Sequence, residues 1–148
     1  MTRPALLDVN VLIALFDATH VHHEAAHDWF ADNRADGWAT CAITENGFVR
    51  VLSNPKSGVT ERTPAILESL KAFCGSGHHL YWSDHVSLRD ALFDLSAARG
   101  HRQLTDIYLL GLATKMGGLL ATFDRTIPVK AVRGAGPETL AVIAPFAD

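Results

Sequence analysis

The sequence predicts an α/β protein: a three-layer α/β/α arrangement with a central, mostly parallel sheet. Short apolar runs that end at a polar residue alternate with longer segments in which apolar residues recur at helical spacing. Such alternation is typical of a parallel sheet covered by helices on both faces, with ligands bound at the carboxyl ends of the strands. No linker, repeat or low-complexity tract divides the chain, so we expect a single domain over residues 1–148.

The first half of the chain contains two of the predicted strands and four helices. The strands are expected at residues 5–7 and 38–41, and the helices at residues 9–16, 22–33, 44–53 and 61–73. Asn10 is placed to cap the first helix, and Asn54-Pro55 ends the third. Pro64 is tolerable only in a first turn, and residues 56–60 form a polar loop between the third and fourth helices.

The second half repeats the pattern. Strands are expected at residues 79–82, 118–123 and 140–143, and helices at residues 87–97 and 104–116. The apolar run at 118–123 is typical of a buried parallel strand and is followed by Asp124, as the first strand is followed by Asp8. The two acids are therefore expected at the same edge of the sheet.

Composition limits the function classes. A hydrophobic fraction of 48% and a charged fraction of 20% are typical of a folded globular protein. The net charge of −3 argues against broad affinity for nucleic acid, so any such contact must be local. Charged and polar residues interrupt the longest apolar stretch, and no signal-peptide cleavage site follows the N-terminus, so a cytoplasmic location is expected.

The two cysteines, Cys41 and Cys74, have no C-x-x-C spacing and lie in apolar stretches. Two such residues are too few for a disulfide framework, and their spacing does not match a zinc site. We expect both to be buried free thiols.

Four acids carry the functional argument, although each has an ordinary explanation. Glu45 and Asp106 could be first-turn acids that favour a helix dipole, and Asp8 and Asp124 could be turn residues. However, Glu45 and Asp106 each precede apolar residues by three, four and seven positions, so both should lie on an apolar helix face. A carboxylate in that position is costly unless it is compensated, and no Lys or Arg lies on the same stripe.

A cation would compensate all four acids if they converge on one pocket. Gathered there without one, the like charges would raise one another's pKa and destabilise the fold. Ligand sets made only of oxygen select Mg²⁺ or Mn²⁺, and Mg²⁺ also binds substrate phosphates. The pattern therefore predicts metal-dependent hydrolysis of phosphodiester bonds.

Four short motifs carry a family resemblance. Leu-Leu-Asp-Val-Asn-Val-Leu at 6–12, Ile-Thr-Glu-Asn-Gly-Phe-Val-Arg at 43–50, Leu-Thr-Asp at 104–106 and Ala-Thr-Phe-Asp at 121–124 resemble, in this order, the motifs of PIN domains. The resemblance spans essentially the whole chain and is greatest to the VapC-type toxins of bacterial toxin–antitoxin pairs. It implies a small, single-domain, magnesium-dependent endoribonuclease.

The resemblance also implies roles for individual residues and partners. The metal-site acids would be Asp8, Glu45, Asp106 and Asp124, and the supporting polar residues would be Asn10 and Thr122. A protein antitoxin would cover the active site, and the toxin would form a homodimer. Aromatic residues of the first helices could supply that surface, with core packing as the alternative: Phe16, Trp29 and Phe30.

Basic residues near the acids could bind RNA phosphates. The candidates are Arg99, Arg102 and Arg125, with His101 and Lys56 as possible additions. An ordinary exposed loop with solvated charges is the alternative explanation. Nothing in the sequence selects tRNA, rRNA or mRNA as the substrate.

Three other functions stay open. His23-Glu24-Ala25-Ala26-His27 matches the H-E-x-x-H pattern of zinc hydrolases, with Glu24 as general base, although no third ligand is evident. The segment at 6–10 also resembles the D-x-D loop of haloacid-dehalogenase-like phosphatases, but Asn10 replaces the second acid and cannot protonate a leaving group. The last alternative is a PIN-like binding module without catalytic activity.

Overall fold

The computed structural model describes residues 3–144, in which five strands form one parallel sheet. The strands are β1 (Ala5–Leu7), β2 (Trp38–Thr40), β3 (His79–Tyr81), β4 (Leu119–Thr122) and β5 (Leu140–Val142). Their order in the sheet is β3-β2-β1-β4-β5, and each neighbouring pair is parallel. The expected central sheet is confirmed.

Within residues 3–144, five α-helices connect the strands. They are α1 (Val9–Phe16), α2 (His23–Asn33), α3 (Ala42–Ser53), α4 (Thr63–Cys74) and α5 (Leu104–Lys115). These bounds agree with the sequence-based prediction to within two residues. Pro64 lies in the first turn of α4, where its missing N–H would have no helical partner.

The helix predicted at residues 87–97 is wrong. This segment consists of turns, a single bridge between Phe93 and Val132, and one 3-10 turn at Leu95–Ala97. The side chain of Asp90 accepts a hydrogen bond from the N–H of Leu92, and Asp94 accepts one from Ser96. These local bonds compete with the helical hydrogen-bond pattern and favour turns.

The expected capping role of Asn10 is also wrong. Helix α1 begins at Val9, so Asp8 occupies the position before the helix and Asn10 is its second residue. The N–H groups of Val11 and Leu12 donate to the backbone carbonyl of Asp8. The chain therefore turns from strand to helix at an acid that also belongs to the candidate site.

The helices form layers on both faces of the sheet. On one face, residues of α1 to α4 pack against Leu7 and Trp38, and on the other, α5 packs with residues 127–132 against Leu6 and Leu120. Phe30 is buried in the first of these layers, where its ring lies 5.3 Å from that of Trp38, so the core-packing alternative holds for this residue. Within residues 3–144, no helix is long and apolar enough to span a bilayer.

Helices α1 and α3 approach each other closely at Gly47. A Cβ atom at this position would lie 2.7 Å from Cγ2 of Val9, which is closer than real Cβ contacts allow. The missing side chain therefore lets α3, which carries Glu45, lie against the start of α1, next to Asp8.

Candidate active site

The sheet places Asp8 and Asp124 at one edge because β1 and β4 are adjacent and parallel. Leu7 lies opposite Ala121, and the N–H of Asp8 donates to the carbonyl of Ala121 at 3.0 Å. Asp8 therefore directly follows one strand, while Asp124 comes two residues after the end of the neighbouring one. This is the edge at which parallel α/β sheets bind ligands.

Thr122 connects these two acids. Its side chain is fully buried, and its hydroxyl donates to Oδ2 of Asp8 at 2.8 Å. The hydroxyl oxygen of Thr122 accepts the backbone N–H of Asp124 at 3.1 Å. One hydroxyl thus orients the Asp8 carboxylate and fixes the backbone at Asp124.

Asp8 is an unusual residue to find in the interior, since only 7% of its surface is exposed. Burial raises the pKa of its carboxyl, and the charge of Asp124 adds to this effect. Hydrogen bonds from Thr122 and from the N–H groups of Val9 and Asn10 oppose the shift. Asp124 itself is held in a turn, where its Oδ1 accepts from the N–H and hydroxyl of Thr126 at 2.8 and 2.6 Å.

Asp106 completes a group of three acids. It lies half-buried in the first turn of α5. Burial, followed by the negative charges of Asp8 and Asp124, raises the pKa of Asp106 from 3.8 to about 7. Three carboxyl groups from three distant parts of the chain therefore share one negative potential.

The donor chemistry of these three aspartates fits a hard cation. All their donor atoms are oxygen, the ligand type that Mg²⁺ and Mn²⁺ prefer. The raised pKa of Asp106 is the electrostatic cost that a bound cation would remove.

The carboxylate of Glu45, the fourth predicted acid, has different neighbours. Its Oε2 accepts a hydrogen bond from the hydroxyl of Thr40 at 2.6 Å. Ligand atoms of Cys74 and His79 lie within 4.8 Å of it and of each other. Asp8 and Asp124 raise the pKa of Asp106, whereas Glu45 does not contribute to that shift. The structure thus brings three of the four acids together and turns the Glu45 carboxylate toward a separate group.

Cys74 packs against the hydrophobic core, as the sequence suggested, but it is not fully buried. Both cysteines are free, but Cys41 is buried and Cys74 is half-buried beside Glu45 and His79. Burial, and then the charge of Glu45, raise the pKa of the Cys74 thiol to about 11. Burial lowers the pKa of His79, which favours the neutral imidazole. Sequence inspection missed His79 because nothing in the local pattern links it to Cys74 or Glu45.

Asn10, one of the two predicted supporting residues, is exposed on α1. Its side chain makes no hydrogen bond within the described part of the chain, whereas its backbone N–H interacts with Asp8. A supporting role for the Asn10 side chain therefore stays a prediction.

A cleft of 480 Å³ opens beside the acids. Val9 and Thr105, which are the chain neighbours of Asp8 and Asp106, line it together with Gly47 of α3. The exposed Arg50 lies on its wall. Arg50 is a candidate for phosphate binding that the sequence analysis did not single out. Its position at the end of the motif at 43–50 was the available signal.

The predicted RNA contacts are exposed, and one segment of them is tied to the site. The N–H of Arg99 donates to the side chain of Gln103 at 2.8 Å, and the side chain of Gln103 donates to the carbonyl of Thr126. The hydroxyl of Thr126 in turn donates to Asp124. Within residues 3–144, the predicted basic contacts have no acidic group within 4.0 Å: Arg99, Arg102 and Arg125. They are available to bind an anion.

The histidine pair of the H-E-x-x-H pattern contacts the end of α1. Nδ1 of His23 lies 2.6 Å from the carbonyl oxygen of Ala14, and Nε2 of His27 lies 2.9 Å from that of Leu15. These carbonyls belong to the last turn of a helix, where they need donors. Among the described residues, no third metal-binding side chain joins the pair, so the structure gives it a helix-capping role.

Comparison with known proteins agrees with the fold. The family model described as PIN domain matches residues 5–132. The chain is 43% identical to ribonuclease VapC44 of Mycobacterium tuberculosis over 94% of this chain and 99% of that protein. It is 45% identical to ribonuclease VapC39 over 88% of this chain and 95% of that protein, and 45% identical to ribonuclease VapC38 over 81% and 84%.

The family match extends from β1 past Asp124, so it includes all four predicted acids and the five helices that surround them. The relatives are similar along nearly their whole length, which excludes a likeness confined to one shared motif. This chain therefore belongs to the PIN-domain family and is closely similar to its VapC ribonucleases.

Proposed function

We propose that the protein is a magnesium-dependent endoribonuclease, with Asp8, Asp106 and Asp124 as the centre of its active site. The observation that carries this proposal is the position of Asp106, where burial, and then the charges of Asp8 and Asp124, raise its pKa to about 7. Strain of this kind is common where charged groups are gathered for catalysis. The ribonuclease names of relatives at 43–45% identity support RNA as the substrate.

The three aspartates would hold the metal, Mg²⁺ or Mn²⁺, and Glu45 would be the fourth ligand. Glu45 would have to turn away from Thr40 to reach it, because its carboxylate accepts a hydrogen bond from that hydroxyl. When bound, the cation would neutralise the acids and polarise a phosphate oxygen of the substrate.

The protein's own side chains orient the reactants. Thr122 holds the Asp8 carboxylate in one orientation through its hydroxyl. Asp106, half-buried in the first turn of α5, would bind the cation as a carboxylate, because a nearby positive charge favours the ionised form. The exposed guanidinium groups would bind phosphates on either side of the cleaved bond: Arg50, Arg99, Arg102 and Arg125.

The similarity to VapC ribonucleases extends the proposal to biology. We expect a cytoplasmic toxin that cleaves cellular RNA, that a protein antitoxin inhibits, and that forms a homodimer. These expectations depend on the family and on the closeness of the relatives. Phe16 and Trp29 are half-buried on α1 and α2 and remain candidates for a partner surface.

The test is RNA cleavage by the purified protein with and without a chelator, beside two isosteric variants. Asp106→Asn should abolish cleavage because it removes a carboxylate from the centre. Asp28→Asn, which changes an exposed aspartate on α2, should cleave at the parent rate. Mg²⁺ should also raise the Tm of the parent more than that of Asp106→Asn, by mass action on the folded state.

Three results would contradict the proposal. The first is undiminished cleavage by Asp106→Asn with the same response to Mg²⁺ as the parent. The second is activity that only Zn²⁺ restores and that His23→Ala or His27→Ala removes, which would favour the zinc-hydrolase alternative. The third is a folded parent that binds RNA but never cuts it, which would favour the binding-module alternative.

A further inference from the structure

A thiol, an imidazole and a carboxylate meet on the sheet face that α3 and α4 cover. Glu45 lies in α3, Cys74 is the last residue of α4, and His79 is the first residue of β3. Their ligand atoms all lie within 4.8 Å of one another. Neither Cys74 nor His79 has a role in the proposed cleavage reaction, so this group needs a separate explanation.

The three ligand types match those of zinc sites. Zn²⁺ binds thiolate, imidazole and carboxylate at about 2.0–2.3 Å, so two ligand atoms of a tetrahedral ion lie about 3.5 Å apart. The present separations, none above 4.8 Å, need to shorten by at most about 1.3 Å. Mg²⁺ does not suit this set, because it prefers oxygen alone, and the two centres should therefore select different ions.

Thr40 already orients two of the three side chains. Its buried hydroxyl donates to Glu45 Oε2 at 2.6 Å and lies 2.8 Å from Nε2 of His79. Because the Thr40 hydroxyl donates to Glu45, it accepts the proton of His79 Nε2, which leaves the lone pair of the ring on Nδ1. Outer hydrogen bonds of this kind fix the tautomer and orientation of metal-binding histidines. The ring of Trp38, 4.6 Å from that of His79, packs beside it.

We propose that Glu45, Cys74 and His79 form a Zn²⁺ site, and that zinc bound there holds Glu45 away from the three aspartates. On binding, the Cys74 thiol releases its proton to solvent and its sulfur bonds to the ion, with water in the fourth position. The half-buried position of Cys74 leaves a path for the ion. The second part, competition for Glu45, rests on the proposed function.

The binding test uses Co²⁺ as a spectroscopic substitute for zinc in the full chain. A Co²⁺–thiolate bond gives a charge-transfer band in the near ultraviolet, whereas Co²⁺ on histidines or carboxylates alone does not. The parent should show this band at one ion per chain, and Zn²⁺ should displace it. Cys74→Ala should lose the band.

Cys41→Ala is the matched control, because Cys41 packs into the core on the opposite face of the sheet. It should keep the band at the parent's intensity. Thr40→Val should retain the band but bind the ion about 10- to 100-fold more weakly, as expected for the loss of an outer hydrogen bond. Cys74→Ser provides a second variant if Cys74→Ala is poorly folded.

The proposal is overturned if the folded parent shows no thiolate band, or if the band persists in Cys74→Ala and disappears in Cys41→Ala. Binding to Asp8→Asn separates the two proposals, because this variant lacks part of the aspartate centre and should still bind zinc like the parent. Failure of the nuclease proposal therefore leaves the zinc site standing, and failure of zinc binding leaves the nuclease proposal intact.

Cleavage kinetics test the competition. At saturating Mg²⁺, zinc should lower the parent's cleavage rate with the same concentration dependence as it displaces Co²⁺. In His79→Ala, the ratio of the rates with and without zinc should return close to one. Equal inhibition of the parent and His79→Ala would show that zinc acts elsewhere and would remove the competition from the proposal.

Discussion

Thr122 shows how one hydroxyl can organise an acidic site. It is fully buried, and it connects the Asp8 carboxylate to the backbone of Asp124. A buried acceptor that loses its donor keeps its desolvation cost and loses the compensating bond. The effect of Thr122 on the site should therefore exceed that of a typical surface threonine.

Replacement of Thr122 by valine tests this role. We expect Thr122→Val to lower the free energy of unfolding by about 1–3 kcal/mol and to slow cleavage, because Asp8 loses its orienting donor. Thr122→Ser, which keeps the hydroxyl, should restore most of the stability and most of the cleavage rate. Thr114→Val, which removes a hydroxyl bonded to the Leu110 carbonyl within α5, is the control and should leave cleavage unchanged. Equal cleavage by the parent and Thr122→Val would contradict the role.

Asp106 should give the metal-free protein a characteristic pH dependence. Its pKa is raised from 3.8 to about 7 in the folded state, so the folded protein binds more protons than the unfolded chain between these values. The contribution of Asp106 to the free energy of unfolding should therefore fall as the pH rises from about 4 to about 7. Asp8, whose pKa is also raised, adds to the same slope.

Denaturant unfolding across this pH range, in the presence of a chelator, measures the effect. Asp106→Asn should flatten the slope and be more stable than the parent at pH 7, while Asp28→Asn should follow the parent. Saturating Mg²⁺ should remove most of the stability difference between the parent and Asp106→Asn, because the cation favours the ionised carboxylates. Identical slopes in the parent and Asp106→Asn would show that Asp106 is not strained.

At the scale of elements, the approach of α3 to α1 sets the distance between Glu45 and Asp8. Gly47 makes this approach possible, since a Cβ there would lie 2.7 Å from Val9. Glycine inside a helix has a cost of about 1 kcal/mol relative to alanine, so its presence in α3 reflects the packing.

A double-mutant cycle measures that packing. Gly47→Ala alone should destabilise the protein, because overpacking of about 1–3 kcal/mol outweighs the gain in helix propensity. In a Val9→Ala background, the same change should stabilise it by about 1 kcal/mol, because the contact is gone. The two sites are therefore expected to be strongly coupled in stability. Additive effects in thermal or urea unfolding would contradict this account of Gly47.

For the whole molecule, the distribution of charge is as important as its total. The net charge of −3 does not favour RNA binding. However, the exposed arginines near the acids form no ion pair within residues 3–144. A cation at the aspartate centre would also reduce the local negative potential. RNA binding should therefore depend on the metal as well as on the arginines.

The toxin role is tested by expression in a bacterial host without a partner. The parent should arrest growth, and a small protein encoded beside its gene should relieve the arrest. Asp106→Asn should permit normal growth, whereas Asp28→Asn should remain toxic at the same expression level. Normal growth with abundant, folded parent protein would argue strongly against a toxin.

The sequence by itself determined the parallel sheet, all five helices and the edge at which Asp8 and Asp124 lie. Hydrophobic periodicity and the ends of apolar runs are local properties, and the order of strands and helices then limits the topology. The same local reasoning failed at residues 87–97, where aspartate side chains bond to nearby N–H groups and prevent a helix. Periodicity does not report that competition.

Only the tertiary structure decided which side chains the four acids meet. Helical spacing placed Glu45 and Asp106 on similar apolar faces, and both are indeed half-buried. Asp106 faces the other aspartates, whereas Glu45 accepts a hydrogen bond from Thr40 and lies beside Cys74 and His79. These partners come from distant segments, and their meeting depends on how α3 and α4 pack on the sheet. The spacing of residues along one helix fixes the face of a carboxylate, but packing between elements fixes its neighbours.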